Sequence, residues 1–216
     1  HSTQRTRRHR EHRGFSCVFS VPSVSLCSLC QKRYMKIFGF AGYSGSGKTT
    51  LIEQLIPRFV MEGLKVSLIK HAHHDFDIDK PGKDSFRHRE AGCSEVLLTS
   101  DQRWVLMDEL RGEREPTLEE QIKMLSPCDL VLVEGYKTND LIPKLEVYRP
   151  SHGRPPIHPE HPNIVAVASD APVQTSVPVL DINDPDGIVE FIMNYLELDC
   201  RPRGSGDPDG FPLPRE

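Results

Sequence analysis

Apolar residues fall along the chain in short runs parted by polar, Gly- and Pro-rich intervals, and the runs alternate between two periods. Ile37-Phe38-Gly39-Phe40-Ala41 is unbroken and short, as a buried strand should be. Leu51, Ile52, Leu55, Ile56 and Phe59 then recur at helical spacing. That helix is read over residues 48–61, with Gly63 as its stop and Pro57, a residue that can kink a helix, inside it. Val66-Ser67-Leu68-Ile69 is a second strand, and residues 84–89 open a helix that ends near Gly92. Val96-Leu97-Leu98 and Trp104-Val105-Leu106-Met107 form two strands of a hairpin around Thr99-Ser100-Asp101. Residues 111–116 are a charged loop, after which Thr117 and Glu120 make a capping box for a helix to about Leu125.

The second half continues the alternation. Leu130-Val131-Leu132-Val133 fits a strand buried on both faces and delivers Glu134-Gly135 at its end. Lys144-Leu145-Glu146-Val147-Tyr148 alternates polar with apolar and reads as an edge strand. Pro150, Pro155, Pro156, Pro159 and Pro162 make residues 150–162 an irregular loop. Ile164-Val165-Ala166-Val167-Ala168 is another buried strand, leading to Ser169-Asp170, and residues 177–180 are a short one. Asp184-Pro185 caps a last amphipathic helix carrying Ile188, Val189, Phe191, Ile192, Tyr195 and Leu196.

Both ends depart from this pattern. Residues 1–34 begin with Arg and His and go on to Ser, Val and Cys, while residues 199–216 are rich in Pro, Gly and Asp. Each reads as a disordered extension of a domain spanning residues 35–198. The basic start before an apolar-leaning stretch resembles a targeting peptide, but Ser16, Ser20, Pro22, Ser23 and Ser25 interrupt the stretch. Met35 stands where such a domain would naturally begin.

Charge and cysteine content narrow the class. Seven Lys/Arg against Glu11 give residues 1–34 a charge of +6; with −4 for the whole chain, the remainder carries −10. An acidic body argues against general nucleic-acid binding. No apolar run approaches the ~20 residues that span a membrane. Six scattered cysteines are too few for a disulfide scaffold and favour a reducing cytoplasm. Cys27-Ser28-Leu29-Cys30 is a lone pair, a weak signal for zinc.

The chemistry sits between the first strand and the first helix. Gly42-Tyr43-Ser44-Gly45-Ser46-Gly47-Lys48-Thr49-Thr50 fits the phosphate-loop template G-x-x-x-x-G-K-[ST] without mismatch. Glycines let successive N–H groups turn inward around phosphate oxygens, and the following helix adds the positive end of its dipole. Gly42, Ser44, Gly45, Ser46, Gly47, Lys48, Thr49 and Thr50 are thus expected to bind nucleotide, with Lys48 on the β- and γ-phosphates and the Thr49 hydroxyl on Mg²⁺. A Gly/Ser linker would have no reason to place Lys-Thr between a strand and a helix.

Glu134 ends a buried strand, where phosphate-loop enzymes carry the acid that faces Mg²⁺ directly or through water. A surface carboxylate after a core strand is the plainer reading; beside a phosphate loop the metal-side role is favoured. Lys48 and Glu134 are the residues on which catalysis would rest. The polar stretch 70–84 leaves the carboxyl end of a strand, where open α/β sheets bind ligands. Its His71, His73 and His74 could ligate a transition metal, donate hydrogen bonds to phosphate, or be plain solvated histidines; no nearby Cys completes a tetrahedral site, which favours hydrogen bonding over ligation. Asp170 likewise follows the end of a buried strand.

Taken in order, these motifs resemble the molybdopterin-guanine dinucleotide biosynthesis protein B family, adapter GTPases of bacterial molybdenum cofactor maturation. The resemblance rests on the phosphate loop, Leu68-Ile69-Lys70-His71 with His73-His74-Asp75, Asp79-Lys80-Pro81-Gly82-Lys83-Asp84-Ser85, Gln102-Arg103-Trp104, Leu132-Val133-Glu134-Gly135-Tyr136-Lys137, Ala166-Val167-Ala168-Ser169-Asp170 and Leu180-Asp181-Ile182-Asn183-Asp184. The stretch 70–85 is the most specific of them. The resemblance covers about residues 35–198. It implies an α/β phosphate-loop NTPase fold in three layers, with a mainly parallel sheet and a small antiparallel extension. It also implies GTP, Mg²⁺, weak hydrolysis, a homodimer and cooperation with the guanylyltransferase that attaches GMP to molybdopterin. For that GTP an N-K-x-D guanine motif is absent, and Asp170 is the candidate acid for reading guanine N1 and N2. Asp75 joins Thr49 and Glu134 on the metal side, and Asp79, Lys80 and Asp84 fall with it in a mobile loop facing the γ-phosphate. Two other readings use the same pocket. A small-molecule kinase would bring an arginine lid, drawn from Arg87, Arg89, Arg111 and Arg114; a nucleotide-gated adapter or metal chaperone would need no turnover.

Overall fold

The computed structural model describes residues 35–72 and 76–198. His73, His74, Asp75, Cys27 and Cys30, and the extensions read over 1–34 and 199–216, lie outside the described residues. The elements run β1 (Lys36–Ala41), α1 (Lys48–Met61), β2 (Val66–Lys70), α2 (Asp84–Glu90), β3 (Glu95–Thr99), β4 (Trp104–Asp108), α3 (Leu118–Met124), β5 (Leu130–Glu134), β6 (Lys144–Tyr148), β7 (Ile164–Ser169), β8 (Val179–Asp181) and α4 (Pro185–Tyr195). Six strands make one sheet in the order β2-β5-β1-β6-β7-β8, every neighbouring pair parallel. β3 and β4 form a separate antiparallel hairpin.

Alternation across the pleat explains the layers. Phe38, Phe40, Leu130 and Leu132 bury on the face covered by Leu51, Leu55 and Phe59 of α1 and Ile188 and Ile192 of α4. Val131 and Val133, with Ile69, meet Leu118 of α3 on the other face. A strand with apolar residues at both parities is thus covered on both sides. α1 runs through Pro57 without interruption. The Thr117–Glu120 capping box forms as expected, both reciprocal bonds present.

One expectation is overturned. β6 is an interior strand between β1 and β7, not an edge. Its polar residues mimic a solvated face, yet Lys144 and Glu146 are fully buried. Each is satisfied by partners outside the sheet's own ladder, those of Lys144 in the turn before β6 and those of Glu146 in the loop after it. Lys144 Nζ donates to the carbonyls of Tyr136, Lys137 and Asn139. The Glu146 carboxylate accepts from the amides of Ile157 and His158 and pairs with His158 Nδ1 at 2.9 Å. A buried charge is tolerated only when so paired, and alternation alone does not reveal the pairing.

Candidate functional site

Parallel pairing brings the carboxyl ends of all six strands to one edge, the place where open α/β sheets bind ligands. The phosphate loop leaves β1 there, and Phe40 stands opposite Glu134 in the β1–β5 register. Two glycines of the loop have no substitute. Gly47 takes φ +96° as it enters α1. Gly42 takes φ +145°, and a Cβ on it would lie 2.5 Å from the Val147 carbonyl oxygen. Side chains are excluded at both positions by conformation or space.

The loop curls around its own lysine. Lys48 Nζ donates to the carbonyls of Gly42 at 3.1 Å and Tyr43 at 2.8 Å. Burial pushes the ammonium below the ordinary lysine range; Glu134 opposes this, and Lys137 and Lys70 add to it. Thr49 Oγ1 donates to Glu134 Oε1 at 2.6 Å, and Lys70 Nζ lies 3.3 Å from Glu134 Oε2. Ser46 is buried, and its Oγ has no hydrogen-bond partner among the described residues. An orphaned buried hydroxyl inside a glycine-lined curl fits an oxygen-rich anion, since such a group is costly to leave unmet. A hydroxyl beside a buried carboxylate is likewise the hard-oxygen pair that Mg²⁺ takes from a protein. The residues fit both groups.

Residues 37–170 match the family model of molybdopterin guanine dinucleotide synthesis protein B. The chain belongs to this family. A molybdopterin-guanine dinucleotide biosynthesis adapter protein of Escherichia coli K12 is 41% identical over 171 residues, 77% of this chain and 96% of that one. One from Haemophilus influenzae Rd is 43% identical over 161 residues, 74% and 89% of the two chains. The crystal structure of a MobB protein homolog from Bacillus stearothermophilus superposes with a TM-score of 0.57 at 26% identity, covering 76% of this chain and all of that one.

Within this member of the synthesis protein B family, Asp170 sits at the end of β7, beside the phosphate loop. The connection is Arg149, just past β6. Its Nε donates to the Ser46 carbonyl at 3.1 Å and its Nη1 to Asp170 Oδ2 at 2.5 Å. A cleft of about 160 Å³ opens here between Gly47, Thr50, Gln54, Arg149, Ile182 and Asn183. A larger one, about 490 Å³, lies at the amino ends of β7 and β8 between His158, His161, Gln174 and Thr175, with no phosphate-loop residue in its wall. The smaller cleft is the one that adjoins the loop.

The remaining candidates are placed as follows. Asp79 turns toward α2: its Oδ1 accepts from Ser85 Oγ at 2.8 Å, and its Oδ2 lies 3.5 Å from Arg89 Nη1. The side chain of Asp84 is exposed, 3.8 Å from Arg87. His71 faces Glu115 at 3.2 Å and packs its ring on Tyr136. Ser44 and Thr50 are exposed on the loop and the first turn of α1. Among the described residues no group of three or more His, Cys, Asp or Glu could hold a metal ion.

Sequence reading assigned no role to Lys70, Lys137, Arg149 or Arg154. The ammonium of Lys137 and the guanidinium of Arg154 stand over the Tyr43 ring, 4.7 and 5.6 Å from its centre. Lys70 and Arg149 could have been found from their position at or just past strand ends. Nothing local in the sequence marks Arg154.

Proposed function

We propose that this chain is a Mg²⁺-dependent GTP-binding protein with weak GTPase activity. In this reading it is an adapter to the guanylyltransferase that attaches GMP to molybdopterin, and it works as a cytoplasmic homodimer. The observation that carries the nucleotide part is the contact of Thr49 with Glu134 at the foot of the phosphate loop. Two motifs far apart in sequence meet where a nucleotide-bound cation would need them. The adapter part draws on the two relatives whose names carry that role and on family membership.

The chain's own groups divide the work. The loop amides and the Ser46 hydroxyl would bind phosphate oxygens. Lys48, now on two loop carbonyls, would turn its ammonium to the charge that builds between β- and γ-phosphates. Thr49 and Glu134 would hold Mg²⁺, which when bound neutralises phosphate charge. Glu134 already accepts from Thr49 and pairs with Lys70, so it is poorly placed as a base for water. That agrees with slow turnover. Asp170, fixed by Arg149 next to the smaller cleft, would read the guanine edge.

Three of the four arginines offered for a kinase lid are committed elsewhere, while Arg87 stays exposed, 3.8 Å from Asp84. Arg89 pairs with Asp77, Asp79 and Glu109; Arg111 donates to the carbonyls of Arg89 and Cys93; Arg114 binds Glu120. This favours the GTPase adapter over the kinase. Exposed Leu97, Leu98, Trp104 and Leu106 on the lone β3–β4 hairpin support the homodimer, because a two-stranded sheet is marginal by itself. Among the described residues no helix is long and apolar enough to cross a membrane.

Titration calorimetry of the full chain with GTP and with ATP, each with and without Mg²⁺, tests the reading. Preference for GTP that needs Mg²⁺ is expected. Preference for ATP would bring the kinase forward and leave Asp170 without a role. Capture of the guanylyltransferase that depends on nucleotide tests the adapter part.

A further inference from the structure

Lys70 closes β2 directly opposite Glu134 in the β2–β5 register. Its Nζ donates to Thr49 Oγ1 at 3.3 Å and lies 3.3 Å from Glu134 Oε2. The ammonium therefore touches both groups that the reading above gives to Mg²⁺. The two partners differ in freedom. The Glu134 side chain is 8% exposed, whereas that of Lys70 is 52% exposed, on a flexible four-carbon stem. The backbone beside it is tied down: the His71 amide donates to the Glu134 carbonyl at 3.0 Å. Lys70 can thus swing its charge away while the strand end stays in place. An ammonium and a divalent ion on the same carboxylate and hydroxyl repel each other and compete for the same oxygens.

We propose that Lys70 is a tethered cation that holds the Thr49–Glu134 pair and is displaced when Mg²⁺ enters with nucleotide. Its removal should therefore tighten metal binding at this site. The proposal rests on the Mg²⁺–nucleotide reading. It gives Lys70 a positioning role: the ammonium keeps a buried carboxylate paired, and it sets the metal concentration at which the site fills. Such an exchange stabilises the protein without metal and weakens metal binding by the same amount, as any competing equilibrium must.

The test is Mn²⁺ binding to the full chain at saturating GTPγS, followed by electron paramagnetic resonance. Lys70→Met should lower the half-saturating Mn²⁺ about three- to tenfold, the range expected for losing a half-exposed ion pair. Lys70→Gln should do the same and serves if the Met variant folds poorly. Lys70→Arg, which keeps the charge, should stay within about twofold of wild type. Lys137→Met removes another nearby charge, one that rests on the Tyr43 ring, and should also stay within about twofold. No shift in the neutral Lys70 variants overturns the displacement and leaves the nucleotide reading standing. So does an equal shift in Lys137→Met, which would mean general electrostatics. Absence of any nucleotide-dependent Mn²⁺ signal in wild type and variants overturns the nucleotide reading and this proposal together.

Discussion

Gly39 and Lys144 face each other across the parallel β1–β6 register, and a Cβ on Gly39 would lie 2.7 Å from Lys144 Cγ. The missing side chain leaves room for the lysine stem to cross the sheet. Its ammonium then clamps the carbonyls of Tyr136, Lys137 and Asn139, the turn that leads away from Glu134. Gly39→Ala should destabilise by about 1–3 kcal/mol through overpacking, seen in urea unfolding as a lower midpoint at unchanged slope. Lys144→Met takes a donor from three half-buried carbonyls, of which that of Tyr136 keeps the Asn139 amide and that of Asn139 keeps Asn163, and should cost about 1–3 kcal/mol. Burial pushes Lys144 below the ordinary 10.5, against Asp140. The unfolded chain then binds the proton more tightly, so this group's contribution to stability rises with pH in the interval below 10.5. Wild type minus Lys144→Met, followed from pH 8 upward, should show that sign.

The capping box of α3 gives a second pH signature. Arg114 first, then the Thr117 amide, hold the Glu120 carboxyl down to about 2 against an ordinary 4.5. A depressed carboxylate stabilises above its ordinary value and loses that contribution as pH falls from 4.5 toward 2. Glu120→Gln should therefore melt lower than wild type at neutral pH and converge with it in acid. Thr117→Ala should cost about 1 kcal/mol at neutral pH, the usual worth of a helix cap.

Lys48→Ala should abolish detectable GTP hydrolysis while circular dichroism stays native. The ammonium's hydrogen-bond partners in this structure are two backbone carbonyls of its own loop, so its loss leaves the packing of the apolar core intact. Hydrolysis persisting at the wild-type rate would sink the assignment of the site.

Asp170→Ala should erase preference for GTPγS over ATPγS in competition binding; unchanged preference removes Asp170 as the guanine reader. Arg149→Ala should act in the same direction. It frees Asp170 and the Ser46 carbonyl together, so overall nucleotide affinity should fall as well.

Trp104→Asp places a charge on the exposed apolar side of the hairpin. Sedimentation equilibrium should show wild type at twice the chain mass and the variant shifted to the monomer. A wild type that is monomeric at micromolar concentration would remove the dimer.

The phosphate loop, the first helix and the capping box of α3 were legible because their physics is local. A loop closed on its own lysine, an apolar stripe and a reciprocal cap each need residues within a few positions of one another. The two-sided burial of β5 was legible for the same reason, since its four apolar residues in a row leave no solvated face. β6 was misread because Lys144 and Glu146 obey the alternation of an edge strand while their charges are satisfied inside. Only tertiary structure could say so, since strand order is not written in any strand's own period. The same holds for the site. Thr49 and Glu134 stand 85 residues apart, and Arg149 and Ser46 stand 103 apart. The sequence marked the groups expected to bind phosphate and cation. Parallel pairing of β1 and β2 with β5 decided that a hydroxyl, a buried carboxylate and a half-exposed lysine share one place, because a charge can be buried only where folding delivers its partner.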